Sequence, residues 1–213
     1  MAAALRFNIF TIVFLFASAT AFAQAPDISI LALKAPEHFR AEFVTTKGKF
    51  VIEAFRSWSP KGVDRLYQLI SSGYFTDNLL FRMEPGFVTQ FGISPQKAVN
   101  RFWVPRKITD EPALRKNTRG TVAFARDFAN SRYTQLFINL ADNPKLDTVI
   151  RNGVKGYPPI GRVITGMDVI ANFNGKYLKQ PAEIQDSLYR YGNAYFEKKF
   201  PGLDRILSAR VLR

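Results

Sequence analysis

The chain has 213 residues, of which 47% are apolar and 22% charged, so it can bury one sizeable core and is difficult to divide into two. It contains no cysteine, which excludes disulfides, thiolate metal sites and thiol nucleophiles. The formal net charge of +13 favours acidic partners, but the Lys and Arg residues are scattered and form no nucleic-acid motif. We therefore expect weak attraction to anionic surfaces and no specific nucleic-acid binding.

The first 23 residues have the composition of a signal peptide. Arg6 precedes an apolar run over residues 7–16, and small residues follow up to Ala21-Phe22-Ala23. The run is short for a membrane span, and signal peptidase cleaves after small residues in this spacing. The sequence predicts export to the periplasm or outside the cell, with cleavage near Ala23, and an uncleaved membrane anchor is the alternative.

A linker over residues 24–37 leads to two predicted strands, Phe39 to Thr46 and Lys49 to Phe55. Gly48 between them supplies the positive φ that a tight turn needs. Ser59 and Pro60 are predicted to begin a helix that ends at Gly73, because Ser caps free N–H groups and Pro fits the first turn. The residues expected on its buried face are Val63, Leu66, Tyr67 and Ile70.

From residue 79 onward, short apolar runs alternate with turn residues. The predicted strands are Leu79 to Met83, Phe87 to Gly92, Thr121 to Ala125, Gln135 to Leu140 and Ile160 to Ile164. A second helix is predicted over Met167 to Phe173. Many short strands with few helices favour a mainly β, antiparallel closed barrel over alternating β-α units.

Residues 179–213 are predicted to form an extension that packs on the domain or completes it. Four-three-four spacing predicts an amphipathic helix from Glu183 to Lys199, bent at Gly192. Its expected apolar face consists of Ile184, Leu188, Tyr191 and Tyr195. The final run from Leu207 to Leu212 fits either a strand or a helix.

Most bond-making chemistry lacks its usual residues in this chain. His38 is the only histidine and precedes the first strand, so neither a metal site nor a Ser-His-Asp arrangement is expected. No phosphate-binding glycine loop occurs, and we expect no cofactor. Hydrolysis by paired carboxylates remains an alternative that rests only on scattered Asp and Glu residues.

One segment, residues 80–92 with the sequence LFRMEPGFVTQFG, resembles the signature of the cyclophilin-type peptidyl-prolyl cis-trans isomerases. That family has an arginine five residues before the phenylalanine of a Pro-Gly-Phe turn and a glutamine three residues after it. The matching residues are Arg82, Phe87 and Gln90. Residues 120–138 resemble the family's strand, glycine-rich loop and Gln-x-Phe strand, and residues 146–170 resemble the stretch that closes the barrel.

The resemblance implies a cyclophilin-like barrel of eight strands capped by two helices, over residues 38–178, with the helical extension after it. It implies a monomeric isomerase that acts on proline-containing peptides and unfolded exported proteins. Catalytic roles are implied for Arg82, Phe87 and Gln90. Substrate-binding roles are implied for Val88, Ala125, Arg126, Gln135, Phe137, Leu146 and Tyr157.

Rotation about a peptide bond meets a barrier of about 18–20 kcal/mol because resonance gives the C–N bond double-bond character. A guanidinium such as that of Arg82 can donate to the prolyl nitrogen once the amide twists, which stabilises the transition state more than the planar ground state. No proton has to leave, in agreement with the missing acid-base residues.

Other interpretations of the same residues stay open. An arginine in a strand is usually solvated or ion-paired, and Glu84 lies two residues from Arg82. Three positions also depart from the family pattern: Lys145 replaces a tryptophan associated with cyclosporin binding, Tyr157 a pocket histidine, and Arg126 an asparagine. These departures predict weak cyclosporin sensitivity and support a second hypothesis, a non-catalytic binding module or chaperone for proline-containing or acidic segments.

Overall fold

The computed structural model describes residues 25–212. The predicted signal peptide over residues 1–23 lies outside the described residues. Over residues 25–212, none of the helices combines the length and the apolar character that a membrane crossing requires.

Eleven strands and seven α-helices follow one another over the described residues. The strands are β1 (His38–Thr45), β2 (Gly48–Phe55), β3 (Asn78–Leu79), β4 (Arg82–Met83), β5 (Val88–Phe91), β6 (Thr121–Phe124), β7 (Leu136–Asn139), β8 (Ile150–Arg151), β9 (Val154–Lys155), β10 (Pro159–Thr165) and β11 (Arg205–Leu212). The helices are α1 (Pro60–Ser71), α2 (Lys97–Trp103), α3 (Lys145–Thr148), α4 (Met167–Ala171), α5 (Gln180–Glu183), α6 (Gln185–Tyr191) and α7 (Asn193–Lys199). A short 3-10 helix, Ile28–Ala32, lies in the predicted linker.

Nine strands form one antiparallel sheet in the order β3-β11-β1-β2-β10-β6-β7-β5-β4. The sheet curls into a half-barrel whose edge strands, β3 and β4, do not pair, so the prediction of a closed eight-stranded barrel is wrong. The backbone at the gap bonds elsewhere: the Leu80 amide donates to the Asp204 carbonyl at 2.9 Å, and the Met83 amide to the Leu178 carbonyl at 3.3 Å. These hydrogen bonds tie residues 80–83 to the C-terminal part of the chain.

The concave side of the sheet holds the main core. Phe43 and Phe50 are opposed across β1 and β2, and their rings stack with centroids 4.9 Å apart. Helix α1 covers this core, and Val63, Leu66 and Ile70 are buried on its inner face as predicted. The strand alternation in the sequence thus places every second side chain of the first hairpin in the core.

The C-terminal helix is interrupted at Gly192, as predicted: φ there is +76° and the chain breaks into α6 and α7. Leu188 is buried, but Tyr191 and Tyr195 are 54% and 39% exposed, so the predicted apolar face is wrong at those two positions. The final run, which the sequence left open, forms strand β11.

The C-terminal segment, residues 179–212, joins the domain in two ways. Strand β11 pairs with both β1 and β3 in the main sheet. Helices α6 and α7 contribute to a second apolar cluster, which consists of Leu79, Phe81, Ile93, Leu188, Phe196, Phe200 and Leu203. This cluster attaches the segment to Leu79 of β3, to Phe81 just before β4 and to Ile93 just after β5.

The start of α1 is capped by Glu111 rather than by the predicted Ser59 side chain. The Glu111 carboxylate accepts the amides of Lys61 at 2.8 Å and Gly62 at 3.2 Å, and also the Ser59 hydroxyl. The guanidinium of Arg132, fully buried, donates to the same carboxylate at 3.0 Å. Burial opposes ionisation, but the hydrogen bonds from Ser59, the Lys61 amide and Arg132 outweigh it and hold the pKa of Glu111 below its usual value.

We expect Glu111→Gln to destabilise the protein by about 3 kcal/mol at pH 7, because it removes the nearer carboxylate from the buried charge of Arg132 and leaves only Asp110, at 3.9 Å. A carboxyl whose pKa is lowered on folding stabilises the native state above its unfolded pKa, and this contribution is lost as the pH falls through the folded pKa. The wild type should therefore lose stability below about pH 4.5, and the variant should lose less. Urea denaturation from pH 7 to pH 3 measures both effects. Glu37→Gln, at an exposed ion pair with Arg56, is the matched control, and an unchanged acid dependence in Glu111→Gln would contradict the assignment.

Candidate active site

Four neighbouring strands place one residue each in a single row across the sheet. Arg82 of β4 lies opposite Gln90 of β5, Gln90 opposite Phe137 of β7, and Phe137 opposite Ala123 of β6. Residues directly opposed in an antiparallel sheet point to the same face. Their sequence neighbours, which include Met83, Phe91, Leu136 and Val122, belong to the main core on the other face. The row therefore lies on the outer face of the sheet.

A cleft of about 430 Å³ opens above this row. It brings together nine of the ten residues that the sequence singled out: Arg82, Phe87, Val88, Gln90, Ala125, Arg126, Phe137, Leu146 and Tyr157. The tenth, Gln135, does not line the cleft. It lies behind Gln90, whose Nε2 donates to Gln135 Oε1 at 2.8 Å. A larger cavity of about 560 Å³ near the 3-10 helix contains none of these residues.

One side of the cleft is apolar. Val88, Phe137 and Tyr157 are buried and pack with Ala123, and the half-buried Phe87, Ala125 and Leu146 complete the cluster. Phe137 and Tyr157 meet edge to face, with centroids 5.6 Å apart and an interplanar angle of 80°. Such a pocket can hold a small apolar ring, while the polar groups next to that ring stay at the opening of the pocket.

Arg82 is held at the edge of this pocket by three contacts. Its Nε donates to Glu84 Oε1 at 2.5 Å, its Nη1 donates to Gln90 Oε1 at 3.2 Å, and its Cζ lies 5.3 Å from the centre of the Phe87 ring. The side chain is 26% exposed. Arg82 is thus both an ion-pair partner of Glu84 and a lining residue of the cleft, and its guanidinium has a fixed orientation.

The Arg126 side chain holds a cleft wall together. Its Nη2 donates to the carbonyls of Val154 at 2.9 Å and Gly156 at 2.5 Å, and its Cζ lies 4.7 Å from the Tyr157 ring centre. Burial lowers the pKa of this guanidinium from its usual value. The contacts join Arg126 to Val154 of the β8-β9 hairpin and to Gly156 and Tyr157, which follow the hairpin.

Asn117 and Asp147 fix the position of the same wall through hydrogen bonds. The Asn117 Nδ2 donates to Asp147 Oδ1 at 2.9 Å and to the Tyr157 carbonyl at 3.0 Å. The Tyr157 amide donates to the Leu146 carbonyl at 2.9 Å. Neither Asn117 nor Asp147 was singled out from the sequence, because an Asn and an Asp 30 residues apart give no local pattern.

The sequence reasoning also missed the contribution of the C-terminal segment to the cleft. The additional lining residues are Asp127, Arg151, Lys179, Ala182, Glu183 and Gln185. Of these, Lys179 precedes α5, Ala182 and Glu183 belong to α5, and Gln185 begins α6. These four lie beyond the three sequence segments that carried the resemblance, so none of those motifs pointed to them.

The described residues contain no group of three or more His, Asp or Glu side chains placed to hold a metal ion. The cleft instead offers an apolar pocket, a fixed cation and the amide of Gln90. Such an arrangement can hold an extended peptide with a small apolar ring and place a donor beside it. It defines the class of a peptide-binding site with a cationic donor, Arg82, at the edge of an apolar pocket.

Comparison with known proteins agrees with this geometry. The family model described as cyclophilin type peptidyl-prolyl cis-trans isomerase matches residues 40–188. Peptidyl-prolyl cis-trans isomerase-like 3 of Rhizopus delemar is 33% identical over 134 residues, which are 58% of this chain and 74% of that protein. Peptidyl-prolyl cis-trans isomerase B of Escherichia coli is 32% identical over 145 residues, 62% of this chain and 82% of that protein.

Solved structures show the same fold. The crystal structure of a Cryptosporidium parvum cyclophilin type peptidyl-prolyl cis-trans isomerase has a TM-score of 0.61 at 20% identity, and covers 83% of this chain and 98% of its own. The same protein has been solved in the presence of the dipeptide Ala-Pro. The chain belongs to the cyclophilin-type peptidyl-prolyl cis-trans isomerase family.

We expect Asn117→Ala to weaken the binding of a proline-containing peptide about three- to ten-fold, since one or two lost hydrogen bonds would loosen the wall that Leu146 and Tyr157 form. Peptide titration followed by NMR gives the dissociation constant. Asn174→Ala is the control, because Asn174 Nδ2 donates to the Gly202 carbonyl away from the cleft. Equal affinities for the two variants would show that the Asn117 contacts do not shape the site.

Proposed function

We propose that this chain accelerates the rotation of X-Pro bonds in exported proteins and so assists their folding. The observation that carries the proposal is the position of Arg82, fixed at the edge of the apolar pocket of Phe87, Val88 and Phe137. A proline ring in that pocket brings its nitrogen next to the guanidinium. The uncatalysed cis-trans isomerisation of an X-Pro bond takes tens to hundreds of seconds, which is slow enough to limit folding.

The proposed mechanism needs no proton transfer. The pocket holds the pyrrolidine ring while the carbonyl side of the bond rotates. As the amide twists, the lone pair of the prolyl nitrogen is no longer delocalised into the carbonyl group and becomes localised on nitrogen, where Arg82 can donate a hydrogen bond to it. Because Glu84 and Gln90 already hold the guanidinium, little reorganisation is needed in the transition state. Gln90 holds the substrate backbone by hydrogen bonds, and Gln135 supports Gln90.

We expect Arg82→Ala to lose on the order of 10²–10³ of the isomerisation rate, as is typical for removing one transition-state donor. The rate is measured with an X-Pro peptide and the mature protein, either by a coupled assay or by NMR exchange. Arg40→Ala is the matched control, since Arg40 is exposed and Glu53 keeps His38 and Arg162 as partners without it. A folded Arg82→Ala variant with the wild-type rate would remove Arg82 from the mechanism.

A second candidate function is a binding module that grips proline-containing or acidic segments without catalysis. The Arg82–Glu84 ion pair favours it, because a carboxylate 2.5 Å from the guanidinium offsets the charge that would act on the substrate. The same assay decides between the two. A folded wild type that binds proline peptides but does not accelerate isomerisation would support the module and contradict the enzyme mechanism.

The proposal of export rests on the composition of residues 1–23. We expect the protein to be recovered outside the cytoplasm with an N-terminus near Gln24 when the full chain is expressed in a Gram-negative host. Cell fractionation and N-terminal sequencing test both points. Recovery of the full-length chain in the cytoplasmic fraction would contradict export.

A further inference from the structure

A chain of hydrogen bonds connects the guanidinium of Arg82 to the C-terminal helix α6. Arg82 Nη1 donates to Gln90 Oε1 at 3.2 Å, and Gln90 Nε2 donates to Gln135 Oε1 at 2.8 Å. Gln135 Nε2 then donates to the hydroxyl of Tyr189 at 3.0 Å. The last contact crosses 54 residues of sequence and brings a residue of the C-terminal segment to the support of the site.

The polarity of this chain is set at the guanidinium, which can only donate. Arg82 therefore requires Gln90 to turn its Oε1 toward it, and Gln90 then presents Nε2 to Gln135 Oε1. Gln135 in turn directs its Nε2 at the Tyr189 hydroxyl, which accepts from it. Tyr189 is therefore the terminal acceptor that holds Gln135, and through it Gln90, in place.

Tyr189 is suited to this role by its surroundings. Its hydroxyl lies 3.0 Å from that of Tyr133 and can donate a hydrogen bond to it, while the Tyr189 oxygen accepts from Gln135. Burial raises the pKa of Tyr189 well above its usual value, so the phenol keeps its proton at neutral pH. Tyr133 also lies 3.4 Å from Gln135 Nε2, a longer and weaker contact.

Tyr189 is also held firmly in place. Its neighbour Leu188 is fully buried in the second apolar cluster, and Tyr189 itself packs against that cluster. Helix α6, which carries Tyr189, spans residues 185–191, and the match to the family model ends within it at residue 188.

We propose that Tyr189 is a positioning residue, which acts through Gln135 and Gln90 to orient the guanidinium of Arg82. This inference rests on the proposed isomerase function of the same cleft. It makes the C-terminal segment a part of the catalytic arrangement as well as of the fold. Tyr189 itself does not touch the substrate.

The first test is a double-mutant cycle of Tyr189→Phe and Gln135→Ala on the isomerisation rate. We expect Tyr189→Phe alone to lower the turnover number about five-fold with little change in KM, as one neutral hydrogen bond would. In the Gln135→Ala background the same change should have no further effect, because the link through which Tyr189 acts is already removed. An equal loss in both backgrounds, or no loss in either, would overturn the proposal.

Tyr177→Phe is the matched control. It removes a phenol hydrogen bond to the Pro201 carbonyl, 3.0 Å long, close to the same segment but outside this chain of contacts. We expect its turnover number to equal that of the wild type. A loss equal to that of Tyr189→Phe would point to a general loosening of the C-terminal segment and contradict the specific role.

A second readout separates this inference from the proposed function. The side-chain amide resonances of Gln90 and Gln135 report their hydrogen bonds in the free protein, without substrate. We expect both to shift in Tyr189→Phe and to stay in place in Tyr177→Phe. If the wild type is inactive while these shifts occur, the proposed function fails and the positioning contact stands. Unchanged resonances of Gln90 in Tyr189→Phe would refute the positioning role even in an active enzyme.

Discussion

The site depends on the pairing register of β4, β5, β7 and β6. Because side chains alternate between the faces of a sheet, a slip of one residue would turn Phe137 into the core and Leu136 outward. The register is tightly fixed at the end of β5, where Gly92 has φ +108° and a Cβ would lie 2.4 Å from the Thr134 carbonyl oxygen. Only glycine allows this close approach. It brings the backbone next to Gln135 and so sets the second layer of the site.

The electrostatics of the cleft follow from the same arrangement. Arg82 has a carboxylate and an amide as partners, so its charge is held in a half-buried place at a defined orientation. The guanidinium of Arg126 has other partners, the backbone carbonyls of the opposite wall. The guanidinium of Arg82 therefore lies at the pocket edge, while that of Arg126 is used to build the wall. The two arginines have different roles although both line one cleft.

The C-terminal segment links the stability of the fold to the shape of the site. It accepts a backbone hydrogen bond from Leu80, next to β3, packs its own apolar cluster against Phe81 and Ile93, and lines the cleft with α5. The segment that binds these strands thus also forms part of the cleft. Changes in this segment are expected to affect stability and peptide binding together.

From the sequence alone, the resemblance to the family pointed to nine of the residues that line the cleft, because its motifs are contiguous and their spacing is a local signal. Strand alternation and helical spacing also predicted the first hairpin and α1 correctly. Only the tertiary structure decided that the barrel stays open, that Gln135 lies behind Gln90, and that Tyr189 supports both. These features depend on contacts between residues far apart in sequence, such as the 54 residues between Gln135 and Tyr189. No periodicity encodes such contacts, since they arise only when separate elements pack against each other.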